Sequence, residues 1–275
     1  MSRGVRIALT VSSAIVAGAL SPGAQAQAPM ALPGGSRPAG PSGPSRPHTH
    51  PPAPLAGETI VVDPGHQLGN SRFPARMNRS VDAHGLWKAC NTTGTASDSG
   101  YPEATFTFRV AERVRDRLRQ LGATVVMTRA TNGPKHFGPC VDVRGKIGDK
   151  GFRGRTHDAD LKLSIHGDGS AAGNHGFHVI VATKKPRRAA STAYAKDVRG
   201  ALQKAGFQRS SYIGGGTALS FRGDLGTLNW SRMPAVMVEL GNMRNPGDAR
   251  RMTSPAGQQR YATALVRGIR AYLSH

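Results

Sequence analysis

The chain reads as an α/β protein: a single domain with a mixed, largely parallel central sheet covered by helices on both faces. Short apolar runs recur at Ile60-Val61-Val62, Leu161-Lys162-Leu163-Ser164-Ile165 and Ala235-Val236-Met237-Val238. Such runs belong to strands buried on both faces. Amphipathic stretches of helical spacing lie between them, and no internal repeat is visible. Strands alternating with helices build a parallel or mixed sheet between helical layers.

Residues 1–26 precede that domain. Arg3 and Arg6 lead into an apolar run from Ile7 to Leu20, and Ala24-Gln25-Ala26 supplies a small-x-small cleavage site. This is the pattern of an export signal peptide. The run is shorter than the ~20 residues of a spanning helix, so cleavage without stable membrane insertion is expected. Residues 27–57 hold nine of the nineteen prolines among Gly, Ser and Ala, the composition of a disordered spacer. His48 and His50 in it read as solvated linker residues rather than a metal tract. The folded domain is expected over 58–275, long enough for a real core.

Within it, Thr59 to Val62 forms the first strand, and Asp63-Pro64-Gly65 stops it ahead of His66. Gln67 to Gly100 is polar and rich in Gly, Ser, Asn and Thr, which suggests a long loop without structure of its own, a lid, a binding loop or a disordered segment. Glu103 opens a helix with Val110, Val114, Leu118 and Leu121 on one face, ended by Gly122. Ala123 to Thr128 is a strand, and a weak helical stretch spans Val143 to Lys150. Leu161 to Ile165 is a strand ending at His166. Phe177 to Val181 is a strand, Ser191 to Ala205 a helix, and Gly214-Gly215-Gly216 opens a loop to Met233. Ala235 to Val238 is a strand ending at Glu239. Asn245 with Pro246 caps a helix, and a last helix spans about Ala256 to Leu273.

The 37 basic and 16 acidic residues give a net charge of +21. Four arginines and no acid lie before residue 58, so the folded part carries +17. That excess suits a polyanionic partner. For an exported chain, anionic wall polymers fit and nucleic acid does not. The two cysteines, Cys90 and Cys140, are expected as a disulfide, because an exported chain is oxidised and their spacing is not that of a zinc site.

Three strands thus end in His66, His166 and Glu239, and parallel strands would deliver all three to one sheet edge. Glu103 follows a return loop from that edge. Two imidazoles and a carboxylate are a common ligand set for catalytic zinc, and a second carboxylate can take a proton from water. Which glutamate is the ligand stays open on this reading. Each residue alone has a plainer explanation: Glu103 suits a helix start through the dipole, and a histidine at a strand end commonly bonds within a turn. Glu239, after four apolar residues, is harder to explain, because a buried unpaired charge is costly. There is no H-E-x-x-H motif.

Nearly all of 58–275 resembles the zinc-dependent N-acetylmuramoyl-L-alanine amidases of amidase family 3. The resemblance rests on Ile60 to His66, the Glu103 helix, Leu163-Ser164-Ile165-His166 and Pro234 to Glu239. It is closest to actinobacterial, catalytic-domain-only members, through Gly100-Tyr101-Pro102-Glu103, Gly138-Pro139-Cys140 and Glu239-Leu240-Gly241-Asn242-Met243. It implies one zinc ion per chain, held by His66, Glu103 and His166, with Glu239 as the catalytic carboxylate. The implied substrate is peptidoglycan, cut between N-acetylmuramic acid and L-alanine by a secreted, monomeric enzyme of the cell envelope. The alternatives are a zinc peptidase cutting within the stem peptide, separable by product mass, and a non-catalytic wall-binding module, separable by zinc content. His178, inside a strand, is the reserve candidate for a supporting role. Among the other residues, His84, His136, His157 and His175 read as surface or core histidines, and burial is the expectation for Trp87 and Trp230.

Overall fold

The computed structural model describes residues 52–183 and 187–275. The signal peptide, and the spacer as far as residue 51, lie outside the described residues. The spacer's last residues are structured: Leu55 is buried in the main core, and its N–H donates to Leu121 O at 2.8 Å. The folded chain therefore starts a few residues before Glu58. An apolar side chain within reach of the core docks whatever prolines precede it.

Six strands form the central sheet in the order β4-β1-β5-β8-β6-β7. They are β1 (Thr59–Pro64), β4 (Thr124–Met127), β5 (Leu161–Asp168), β8 (Ala235–Asn242), β6 (His178–Ala182) and β7 (Leu219–Arg222). The first four run parallel, β6 is antiparallel to β8, and β7 is parallel to β6. The sheet is mixed and largely parallel, as the apolar runs predict.

Side-chain alternation sorts the sheet's two faces. Ile60, Val62, Leu163, Ile165, Val179 and Val238 join the main core with α2 (Glu103–Gln120), α4 (Arg188–Lys204) and α7 (Pro255–Leu273). Val61, Ile180 and Met237 point the other way, into smaller clusters. There they meet the region of α3 (Val141–Lys146) and α5 (Gly226–Asn229). The short α6 (Pro246–Thr253) is capped as expected, Asn245 Oδ1 accepting from the N–H groups of Gly247 and Asp248. Among the described residues no helix is long and apolar enough to cross a membrane.

Residues 67–100 differ from the structureless loop expected. They hold a short helix, α1 (Pro74–Asn78), and a hairpin of β2 (Ser80–Asp82) and β3 (Trp87–Ala89). Three-residue strands rich in polar residues have too few alternations to announce themselves. A disulfide between Cys90 and Cys140 ties the segment's end to the loop before α3. Both sulfurs are buried with Val81. Reduction should therefore lower stability by roughly 4 kcal/mol, because the bond closes a loop of 50 residues. Denaturant unfolding with and without reductant measures this. Thiol titration of the unfolded, unreduced chain should find no free thiol.

Candidate active site

The end of β1 is built around Asp63, which is fully buried. Its carboxylate accepts from Arg144 Nη1 at 2.6 Å, Ser164 Oγ at 2.6 Å and Thr128 Oγ1 at 2.5 Å. Burial works against its charge, but the guanidinium and the two hydroxyls outweigh it and hold the carboxyl well below the usual range. Arg144 also donates to the carbonyls of Pro64 (2.7 Å), His66 (2.6 Å) and Pro139 (3.0 Å). Arg129 donates to Pro64 O, Gly65 O and Ala104 O, which joins the end of β1 to the first turn of α2. Between these guanidinium groups the chain turns so tightly that His66 adopts φ +57°.

His66 is oriented from behind. Its Nδ1 lies 3.2 Å from Thr92 O and 3.1 Å from Thr92 Oγ1. A carbonyl only accepts, so Nδ1 carries a proton and Nε2 is the nitrogen that faces Glu103. Nε2 lies 3.2 Å from Glu103 Oε1, and His166 Nδ1 lies 3.0 Å from the same oxygen. Glu103 is buried and accepts from two backbone N–H groups, Gly167 to Oε1 (3.1 Å) and Thr95 to Oε2 (2.9 Å). The Gly167 N–H falls where the register of β5 against β8 shifts. Burial opposes the Glu103 charge, yet both histidines hold its carboxyl well below the ordinary range. Gly94 closes over the group at φ +78°. A Cβ there would sit 2.7 Å from Glu103 Oε2 and 2.8 Å from His66 Cδ2.

One ligand atom from each of His66, Glu103 and His166 lies within 4.8 Å of the others. The parallel strands thus bring together the set read from the sequence. Two imidazole nitrogens, at least one held by a partner behind, and one ionised carboxylate suit zinc.

Glu239 is the direct register partner of His166 on one side and of His178 on the other, all on one face. Its Oε2 is buried and has no hydrogen-bond partner among the described residues. Burial, then the nearby charges of Glu103 and Asp168, push its proton affinity well up, against the pull of Arg222. His178 is buried, and burial lowers its pKa to about 4, so it is neutral near pH 7. His66, His166 and Glu239 line one cavity of about 270 Å³. A larger one, about 670 Å³ beside Lys146 and Trp230, contains none of the predicted site residues.

A profile of the N-acetylmuramoyl-L-alanine amidase family matches residues 60–271. The chain belongs to this family. The N-acetylmuramoyl-L-alanine amidase Rv3717 of Mycobacterium tuberculosis is 37% identical over 227 residues, covering 81% of this chain and 89% of the relative. The crystal structure of the amidase Ami1 from Mycobacterium smegmatis superposes with a TM-score of 0.73 at 38% identity, covering 80% of this chain and 98% of that one. Apo Ami1 from Mycobacterium abscessus gives 0.72 at 42% identity, over 80% of this chain and 100% of that one. The chain is accordingly an N-acetylmuramoyl-L-alanine amidase, a peptidoglycan hydrolase. Family membership and the α/β fold agree with the sequence reading.

Some features of this amidase were not anticipated. Trp87 is 74% exposed, against the expectation of burial, because the hairpin is too thin to cover an outward residue. Trp230 is half-buried, with Nε1 donating to Asp82 O at 2.8 Å. The supporting roles of Asp63, Thr92 and Arg129 carry no signal in one sequence, because each acts through contacts with groups far along the chain.

Arg144→Met should cost about 3–5 kcal/mol in denaturant unfolding, because it strands the Asp63 charge. The acid limb is a second readout. Asp63 has a folded pKa below its unfolded value near ~3.9, so its contribution is complete above that value and is lost as pH falls through the lowered native one. The substitution should flatten that part of the stability profile.

Proposed function

We propose that this chain is a zinc-dependent amidase, exported by residues 1–26 and acting as a monomer on peptidoglycan at the cell envelope. His66, Glu103 and His166 would hold the ion, and Glu239 would act as general base. The reading rests on one observation above all: three ligand atoms gathered within 4.8 Å of one another, next to a buried carboxyl whose Oε2 has no hydrogen-bond partner among the described residues. When bound, zinc supplies a Lewis acid that polarises the lactyl carbonyl and makes water acidic.

The chain's own residues do the rest. Thr92 keeps the His66 ring in one tautomer. The backbone N–H groups of Gly167 and Thr95 keep Glu103 from turning away. Glu239 Oε2 accepts a proton from the attacking water. The water oxygen bonds to the carbonyl carbon, the C–N bond breaks, and the same proton passes to the departing nitrogen of L-alanine. A carboxyl whose proton affinity burial has raised is suited to both halves of that transfer. The +17 of the folded part would gather the enzyme onto an anionic wall.

Two variants separate the roles. Glu103→Ala should lose both bound zinc and activity. Glu239→Gln keeps size and hydrogen-bonding reach but cannot take a proton, so it should retain near-stoichiometric zinc with activity reduced about 10²–10⁴-fold. Metal analysis after dialysis, beside release of muropeptides, checks this. Zinc retained by Glu103→Ala and lost by Glu239→Gln would reverse the assignment. Sedimentation of the enzyme with insoluble wall should also fall steeply as salt rises.

A further inference from the structure

Three cations line the cavity beside Glu239, and one of them is already committed. Arg144 is buried, paired with Asp63 and bonded to three carbonyls. Lys88 on β3 and Arg222 on β7 remain, each partly exposed at the cavity. They share one acid. Lys88 Nζ donates to Asp224 O at 2.9 Å and to Asp224 Oδ2 at 3.1 Å, and Arg222 grips the same carboxylate side-on, Nε to Oδ1 at 2.9 Å and Nη2 to Oδ2 at 2.7 Å. One carboxylate against two cations leaves this wall of the cavity with a net charge of +1, and Arg222 is near enough to Glu239 for its charge to be felt there.

The chemistry of the substrate narrows what that charge can meet. The sugars of the glycan are neutral, the lactyl carboxyl is tied up in the scissile amide, and L-alanine has an uncharged side chain. The first anion past the scissile bond is a carboxylate on the second residue of the stem, if that residue is acidic and not amidated. We infer that Lys88 and Arg222 form a carboxylate-binding subsite for the stem residue that follows L-alanine, selecting its free acid over its amide. This deepens the amidase reading and rests on it. The two cations come from separate elements, a hairpin before α2 and an edge strand after α4, and meet only through Asp224 and the cavity. With Nε and one Nη2 hydrogen of Arg222 spent on Asp224, the guanidinium still presents its Nη1–Nη2 edge to a second carboxylate, and the ammonium adds a point charge. Neither does the same for a neutral amide.

The test compares two substrates that differ only there: a disaccharide bearing L-alanine followed by γ-linked D-glutamate, and the same compound with the α-carboxylate amidated. Calorimetric binding of both to the full chain carrying Glu239→Gln reads recognition without turnover, and kcat/KM on the parent enzyme reads the reaction. The free acid should be preferred by roughly tenfold in both, as for a hydrogen-bonded charge. Arg222→Gln and Lys88→Gln should each shrink the ratio, and Arg222→Lys should keep most of it. Equal binding of acid and amide by the Glu239→Gln protein, or an undiminished ratio in both glutamine variants, overturns the inference. Failure of the parent enzyme to cut either substrate would instead overturn the amidase reading, while the binding ratio would still decide the subsite.

Discussion

The ion pair between Asp63 and Arg144 is the constraint on which the site depends. A carboxylate sealed at the end of a central strand is tolerable only with a full set of donors, because an unpaired buried charge costs several kcal/mol. Arg144 meets that demand with one nitrogen and spends the others on the carbonyls of Pro64, His66 and Pro139. The same contact that makes the charge affordable therefore fixes the path of the chain just past the strand. His66 is held at positive φ by its neighbours' hydrogen bonds. Arg129 extends the frame by bridging Gly65 O and Ala104 O, which ties the turn bearing His66 to the helix turn bearing Glu103.

The sheet supplies the remaining geometry. Parallel pairing of β1, β5 and β8 sets His166 and Glu239 side by side with His66 just beyond the strand end. The reversal at β6 then puts a neutral, buried histidine on the far side of Glu239. Burial and the charges of Glu103 and Asp168 outweigh the pull of Arg222, so Glu239 keeps a raised proton affinity. The two glutamates are chemically identical and are separated by surroundings alone. One is clamped by backbone N–H groups and two imidazoles, as a ligand should be. The other has a buried oxygen free to take a proton.

Much of this was legible in the sequence, for identifiable reasons. Buried parallel strands are continuous apolar runs, so Ile60 to Val62, Leu161 to Ile165 and Ala235 to Val238 stood out, and the residues ending them named the site. The long helix from Glu103 was readable from its apolar stripe. What escaped notice depends on contacts rather than patterns. The β2–β3 hairpin and the edge strand β7 are too short and polar to show periodicity. Lys162 sits inside an apolar run and is wholly buried, with Nζ donating to the carbonyls of Arg144 and Gly145. A lysine at that position is legible only once the helix that receives it is in place. Lys88 and Arg222 look like ordinary surface charges until the fold brings both to Asp224.

The most direct measurement of the central claim is digestion of purified peptidoglycan with and without a chelator, followed by product mass determination. The account predicts intact stem peptides with a free L-alanine amine, glycan strands keeping the lactyl carboxyl, loss of both with chelator, and their return when zinc is restored. Fragments cut within the stem, or digestion indifferent to the chelator, would contradict it.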